Sequence, residues 1–397
     1  MPKVYLDNAC TSLVQPRVLA STERFVNLFK SSDKSASDIT REIRSYLVEA
    51  RKAVADFLHC DSGEIAIVES TSHALGILAQ VLPLEKKHNV LICDLEYQAS
   101  TLCLKRRQEE VGFEMREVKS VNGTITAEIF AQAADADTKV IILASVQEIN
   151  GYRADVKAIR EMARGKNILL VVDGIQEVGA MKVDLRDLDV DFYCAGGKKW
   201  LGNPFGAGFL YVNKRLIRQI PPPFYAYFKI EVDKKYTDYI NYLEDPARNP
   251  FDPYTIIEDA SKYENGGFAN GLGALGLKEA VSLLGEMGAD KIQEKILSLQ
   301  ERLIKGLAAL GIKVCSATDR KHMSSIASFN FGFKDGIEKE RRLVKFLQAH
   351  NIYISLRSST GTGGIRMSPH YYNTERDIDA LVEGIALFLK EDKAAGN

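Results

Sequence analysis

An apolar run at residues 168–172 ends on an acid, Asp173, and a later run at 190–194 empties into Gly196, Gly197, Lys198, Lys199 and Trp200. Strands that end this way bring an acid and a lysine to one crevice on the carboxyl edge of an α/β sheet. There an acid can keep a pyridine nitrogen protonated and a lysine can form a Schiff base, so the pair points to pyridoxal phosphate. Two lysines behind two glycines are, by themselves, an ordinary solvated turn. Here Trp200, Leu201 and the apolar segment 208–212 follow, which pins the turn between buried elements. A lysine held and partly desolvated in that way can lose its proton and act as a nucleophile. The residues alone do not choose between Lys198 and Lys199.

The elements that must position this pair can be read from hydrophobic periodicity. From Glu64 onward, strand-like runs at 65–68, 90–93, 113–118, 140–144, 168–172, 192–194 and 209–212 alternate with helical patterns at 72–82, 99–110, 127–134 and 156–164. Such βα repetition calls for a mostly parallel sheet covered by helices on both faces. Two helices, 16–29 and 41–59, precede it, separated by a polar loop at 31–40. Helical patterns resume after Gly271 and run to Leu310. A smaller unit follows, with strands near 312–315, 326–331 and 352–355 and helices at 338–350 and 374–389. A chain of 397 residues is long for one domain. The expectation is a large domain at 13–270 and a small C-terminal α+β domain at 271–397, joined by the N-terminal segment 1–12. Between 220 and 267 the consecutive Pro221, Pro222 and Pro223 and a run of tyrosines and phenylalanines break the pattern. An irregular stretch this rich in aromatics is expected to be a lid or a dimer contact.

Composition narrows the function classes. Hydrophobic residues make up 46%, and the formal net charge is -1, which gives no global pull toward nucleic acid or an anionic membrane. No apolar run reaches the ~20 residues of a membrane span, and the N-terminus lacks the pattern of a secretory signal. The six cysteines include no CxxC pair, which argues against a zinc site or a disulfide scaffold and fits reduced thiols in a cytoplasmic protein. No GxGxxG follows the first strand, so a dinucleotide-binding dehydrogenase lacks support.

The segments VVDGIQEVGAMKVDL and DFYCAGGKKWLGNPFGAGFLYV resemble the class V aminotransferase family of fold-type I pyridoxal-phosphate enzymes, which includes cysteine desulfurases, C–S lyases and isopenicillin N epimerase-like proteins. The resemblance runs from YLDNACTS near the N-terminus to GTGGIRMSPHYYNTERDID near the C-terminus. It implies a seven-stranded, mostly parallel sheet domain with a smaller α+β domain, pyridoxal 5'-phosphate as cofactor, an amino-acid substrate and a homodimer. It also assigns roles. Lys199 is the Schiff-base lysine, Asp173 pairs with the pyridine nitrogen, and Gln176 hydrogen-bonds the phenol oxygen. Tyr97 stacks on the ring. Thr71 and Ser72, at a strand-to-helix junction suited to an anion, hold the phosphate, with helix capping as the plainer alternative. Arg366 grips the substrate carboxylate in a bidentate fork, and Arg357 is a second candidate.

The departures from the family pattern matter equally. Lys198 stands where relatives often have histidine, and is expected to lend charge to the phosphate. Gly196 and Gly267 fall at positions where relatives contact the phosphate through a hydroxyl. The family's asparagine near the cofactor falls at Gln147 or Glu148. Desulfurases of the family carry a nucleophilic cysteine between the positions of Arg357 and Arg366; here that stretch reads RSSTGTGGIR. The lead expectation is therefore a β-eliminating C–S lyase acting at Cα of a cysteine-type L-amino acid through an external aldimine. Transamination and epimerisation are the alternatives, and a catalytically silent scaffold is the non-enzyme alternative.

Overall fold

The structure is a computed structural model and describes residues 3–30, 33–267, 270–333 and 336–395. The ends of the expected units, residues 1–2 and 396–397, lie outside it. Twelve strands are described: β1 (Val4–Tyr5), β2 (Ile65–Val68), β3 (Asn89–Cys93), β4 (Glu114–Val118), β5 (Thr138–Ala144), β6 (Leu169–Asp173), β7 (Phe192–Gly196), β8 (Gly208–Val212), β9 (Ala327–Phe329), β10 (Ile352–Tyr353), β11 (Ser355–Ser359) and β12 (Thr362–Met367). Seven of them form one sheet in the order β2-β8-β7-β6-β5-β3-β4. The pairs from β4 through to β7 are parallel, and β8 runs antiparallel to both β7 and β2. Strands β2, β3, β7 and β8 are buried along their whole length, as a sheet covered on both faces requires. One core cluster lies on each face, with Leu91, Ile141 and Val172 in one and Ile92, Ile142 and Val171 in the other. Alternate residues of the same strands feed opposite layers, the period-two consequence of the pleat.

Two expectations fail locally. The polar stretch before the second helix is not all loop: that helix spans Ala36–Leu58. Ser35 Oγ accepts from the Asp38 amide at 3.1 Å while Asp38 accepts back from the Ser35 amide. This capping box starts a helix inside a polar sequence. The expected strand at 312–315 reduces to a single bridge, Val314 to Phe329. Conversely, the Arg357–Arg366 stretch forms the β11–β12 hairpin, with Ser355 opposite Arg366 and Arg357 opposite Gly364. Gly363 and Gly364 have positive φ, and a Cβ on them would meet the carbonyls of Arg357 and Phe329 at 2.3 and 2.2 Å. Only glycine lets β12 lie this close to both neighbours.

The N-terminal segment ties the smaller sheets to the large one. β1 pairs in parallel with β10, and Val4 and Leu6 join a third core cluster with Leu303, Phe329, Leu347 and Ile385. The helix Gly271–Met287 packs instead on the two N-terminal helices. Asn8 Nδ2 donates to the Ser368 carbonyl at 2.8 Å, and the Ala9 amide to Ser368 Oγ at 3.0 Å. Buried Asn373 closes the junction: Nδ2 donates to the Tyr5 carbonyl at 3.1 Å, and Oδ1 accepts from the His370 amide at 2.8 Å. The aromatic stretch 220–267 carries only short helices, and Arg44 of the second helix sits 4.2 Å over the Phe228 ring. Asn373→Ala strips partners from buried backbone groups, which costs about 1–3 kcal/mol. It is expected to lower the thermal unfolding midpoint without changing the fold, measured by circular dichroism.

Candidate active site

Asp173 ends β6, so its side chain meets the carboxyl edge of the sheet rather than its interior. Its Oδ1 accepts from the Ile175 amide at 2.9 Å, and only 4% of the residue is exposed. Burial pushes its carboxyl up to about 6, against the pull of the Ile175 amide and the Lys199 charge. Beyond β7 the chain turns sharply. The Gly197 amide donates to the Ala207 carbonyl at 2.9 Å, and the Gly202 amide to that of Lys199 at 2.8 Å. A Cβ on Gly197 would lie 2.4 Å from the Ala207 carbonyl oxygen, so the glycine is sterically required. Lys198 is exposed, while Lys199 points inward. Burial brings the Lys199 amine down to about 8, with Glu148 and Asp173 resisting the shift.

Trp200 locks this turn. The residue is fully buried, and its Nε1 donates to Gln176 Oε1 at 2.9 Å. An indole nitrogen only donates, which fixes the orientation of the Gln176 amide. Its nitrogen must then face the other way, where Nε2 donates to the Ala9 carbonyl at 3.1 Å. On the other side His370 holds the Trp200 carbonyl through Nε2 at 3.0 Å, while Nδ1 accepts from the Tyr371 amide at 2.8 Å. That pairing defines the neutral tautomer, and burial drives the imidazole down to about 3.

Asp173, Gln176 and Lys199 open onto one cavity of about 300 Å³, which Thr71, Ser72, Tyr97, Lys198, Arg357 and Arg366 also line. The helix Thr71–Val81 points its N-terminus into this space, capped by Ser70, whose hydroxyl accepts from the His73 amide at 3.1 Å. Capping therefore falls to Ser70, and Thr71 and Ser72 occupy the first turn. Thr71 Oγ1 accepts from the Gly196 amide at 2.8 Å. A Cβ on Gly196 would press on Thr71 at 3.3 Å, so the missing hydroxyl at Gly196 goes with a close approach of this helix. Gly267 borders a separate cavity, with Arg51, Lys229 and Glu264. Tyr97 stands half-exposed at the mouth, and Arg357 is exposed on the hairpin, whereas Arg366 is buried.

The fit of these residues to pyridoxal phosphate can be tested on their own chemistry. A buried acid, a depressed lysine, a lateral amide and a helix N-terminus suit a pyridinium, an aldehyde, a phenolate and a phosphate in turn. Three features of the site are set by tertiary contacts that the sequence reading did not resolve. Glu148, rather than Gln147, faces the cavity; Gln147 turns away and donates to Glu96 Oε1 at 2.7 Å. Glu96 also accepts from the Ala144 amide at 2.9 Å, and burial brings its carboxyl up to about 7. Ala9 and Cys10 form part of the wall.

Residues 4–381 match the family described as aminotransferase class-V. The chain belongs to that family. It is thus a pyridoxal-phosphate enzyme, as the motifs implied. It is 27% identical over 393 residues to a probable cysteine desulfurase of Methanothermobacter thermautotrophicus, covering 96% of this chain and 93% of the relative. An apo cysteine desulfurase from Thermococcus onnurineus NA1 superposes with a TM-score of 0.83 at 21% identity, covering 98% of this chain and 95% of that one. A cystine C–S lyase in complex with its reaction product, cysteine persulfide, gives 0.84 at 21% identity, covering 97% of each chain. The fold-type I architecture with its mostly parallel seven-stranded sheet is therefore borne out.

An amine that titrates near 8 is protonated below that pH and a free base above it. Reductive methylation of Lys199 in cofactor-free protein should therefore be about tenfold faster at pH 9 than at pH 7. Peptide mass spectrometry of the quenched protein measures this, and an exposed lysine in the same digest gives the comparison.

Proposed function

We propose that this family member is a β-eliminating C–S lyase acting on a cysteine-type L-amino acid. Pyridoxal 5'-phosphate, when bound, supplies the electron sink for the bonding pair left at Cα. Lys199 would hold it covalently, Asp173 would face its ring nitrogen and Gln176 its phenol oxygen. Tyr97 would cover the ring face, and Thr71, Ser72 and Lys198 would take the phosphate. Arg366 fixes the substrate carboxylate, with Arg357 at the mouth as a second anchor. Lys199, once free of its covalent bond, is the base placed to carry the Cα proton, and its amine near 8 suits proton transfer at neutral pH.

One observation carries the choice of reaction. The hairpin with Arg357 and Arg366 presents serines, threonines, glycines and Ile365 between them, with no thiol. That favours release of the sulfur leaving group over its capture by the protein. The names of the relatives, cysteine desulfurase and cystine C–S lyase, support a sulfur-bearing substrate. A desulfurase reading has one observation of its own, because Cys10 lines the same cavity. The exposed aromatics Phe224, Tyr225 and Phe251 support a homodimer contact in the 220–267 stretch. Six free thiols are consistent with a cytoplasmic setting. Among the described residues no helix is long and apolar enough to cross a membrane.

Product analysis with L-cysteine and L-cystine decides the reaction. Pyruvate with ammonia, unchanged in Cys10→Ala, is the expected result. Alanine formed only when Cys10 is present would establish the desulfurase, and pyridoxamine phosphate or the D-isomer would each replace the lyase with another chemistry. Lys199→Ala is expected to lose roughly 10²–10⁴-fold in rate, the usual contribution of a positioned acid–base group.

A further inference from the structure

Arg366 is buried to 1% exposure yet has no tight ion pair. Its Nη2 lies 3.3 Å from Asp7 Oδ1, its Nη1 lies 3.3 Å from both Glu148 Oε2 and the Glu148 carbonyl, and its Nε lies 3.3 Å from Ser355 Oγ. A carboxylate that grips a guanidinium makes two parallel bonds of about 2.7–2.9 Å. Here two acids each reach one nitrogen, at longer range.

The two acids differ in what else holds them. Asp7 Oδ1 also accepts from Ser355 Oγ at 2.7 Å, and the Asp7 backbone bridges to Ser368. It is fixed behind the arginine. Glu148 lines the cavity, and among the described residues its carboxylate hydrogen-bonds Arg366 alone. It also lies near enough to Lys199 to oppose the fall of that amine.

We propose that Glu148 is a specificity-determining residue: in the resting site it occupies the anion position of Arg366, and an incoming carboxylate must displace it. The proposal rests on the reading that Arg366 anchors the substrate carboxylate. A free carboxylate from solution has to displace Glu148 and then tolerate its charge. An amino acid held through its amine presents its carboxylate intramolecularly, at a far higher effective concentration. The site therefore admits amino acids and turns away simple carboxylates, among them the 2-oxo acid that an elimination releases.

Acetate binding to the holoenzyme, measured by isothermal titration calorimetry at constant ionic strength, tests this. Glu148→Gln keeps the size and removes the charge, and should bind acetate about tenfold more tightly than the parent. Glu148→Ala carries the same expectation and guards against a defect peculiar to the amide, whereas Glu148→Asp should stay near the parent. Acetate affinity that is unchanged or weaker in both neutral variants overturns the proposal, because Glu148 would then orient Arg366 instead of covering it. A parallel arm follows L-alanine binding by the visible absorbance of the cofactor. Loss of that binding in Arg366→Gln, with acetate unaffected by Glu148→Gln, defeats the proposal alone; L-alanine binding that survives Arg366→Gln defeats the anchor reading as well.

Discussion

The hydrogen bond from Trp200 Nε1 to Gln176 Oε1 is the contact on which the site's geometry depends. An indole buried this completely must find an acceptor, and the acceptor it finds lies three residues beyond the acid end of β6. The bond joins the two segments that carry the acid and the lysine. By fixing the glutamine amide it also draws in Ala9, the first cavity residue of the N-terminal segment. With His370 on the Trp200 backbone carbonyl, distant parts of the chain are linked through Trp200 and Gln176. The turn bearing Lys199 is thereby positioned by buried, directional contacts, as the proposed role of that lysine requires.

Burial then sets the chemistry. The same low-dielectric wall raises the Asp173 carboxyl and lowers the Lys199 amine, the two directions expected when charge is withdrawn from water. Each moderates the other's shift, so the lysine amine, brought down to about 8, can lose and regain a proton close to neutral pH, where an acid–base group is most useful. Glu148 and Arg366 add a second pair of opposite charges in the same space. These two acids and two bases offset one another's charge within the cavity.

Much of this was legible in the sequence because it is local. The inner strands of the main sheet are largely contiguous apolar runs, and Asp173, Gln176 and Lys199–Trp200 sit at fixed offsets from two of them. The pieces that escaped are those settled by tertiary contacts. Nothing in SVQEINGYRAD says that Glu148 faces the cavity while Gln147 turns toward Glu96, since strand β5 has already ended and the backbone is irregular. The β11–β12 hairpin is hidden by its glycines, which read as a loop and in fact permit tight strand packing. Ser35 was a missed signal of the opposite kind, a capping residue with Asp38 three positions on, masked by the polarity around it.

The central claim is that Lys199, and not its neighbour Lys198, bonds the cofactor. The direct test is borohydride reduction of the holoenzyme, followed by tryptic peptide sequencing by mass spectrometry. A visible band near ~420 nm that disappears on reduction, with the phosphopyridoxyl mass on Lys199, is the predicted result for an activated lysine nucleophile. The label on Lys198, or protein that holds the cofactor without any reducible bond, would contradict the account.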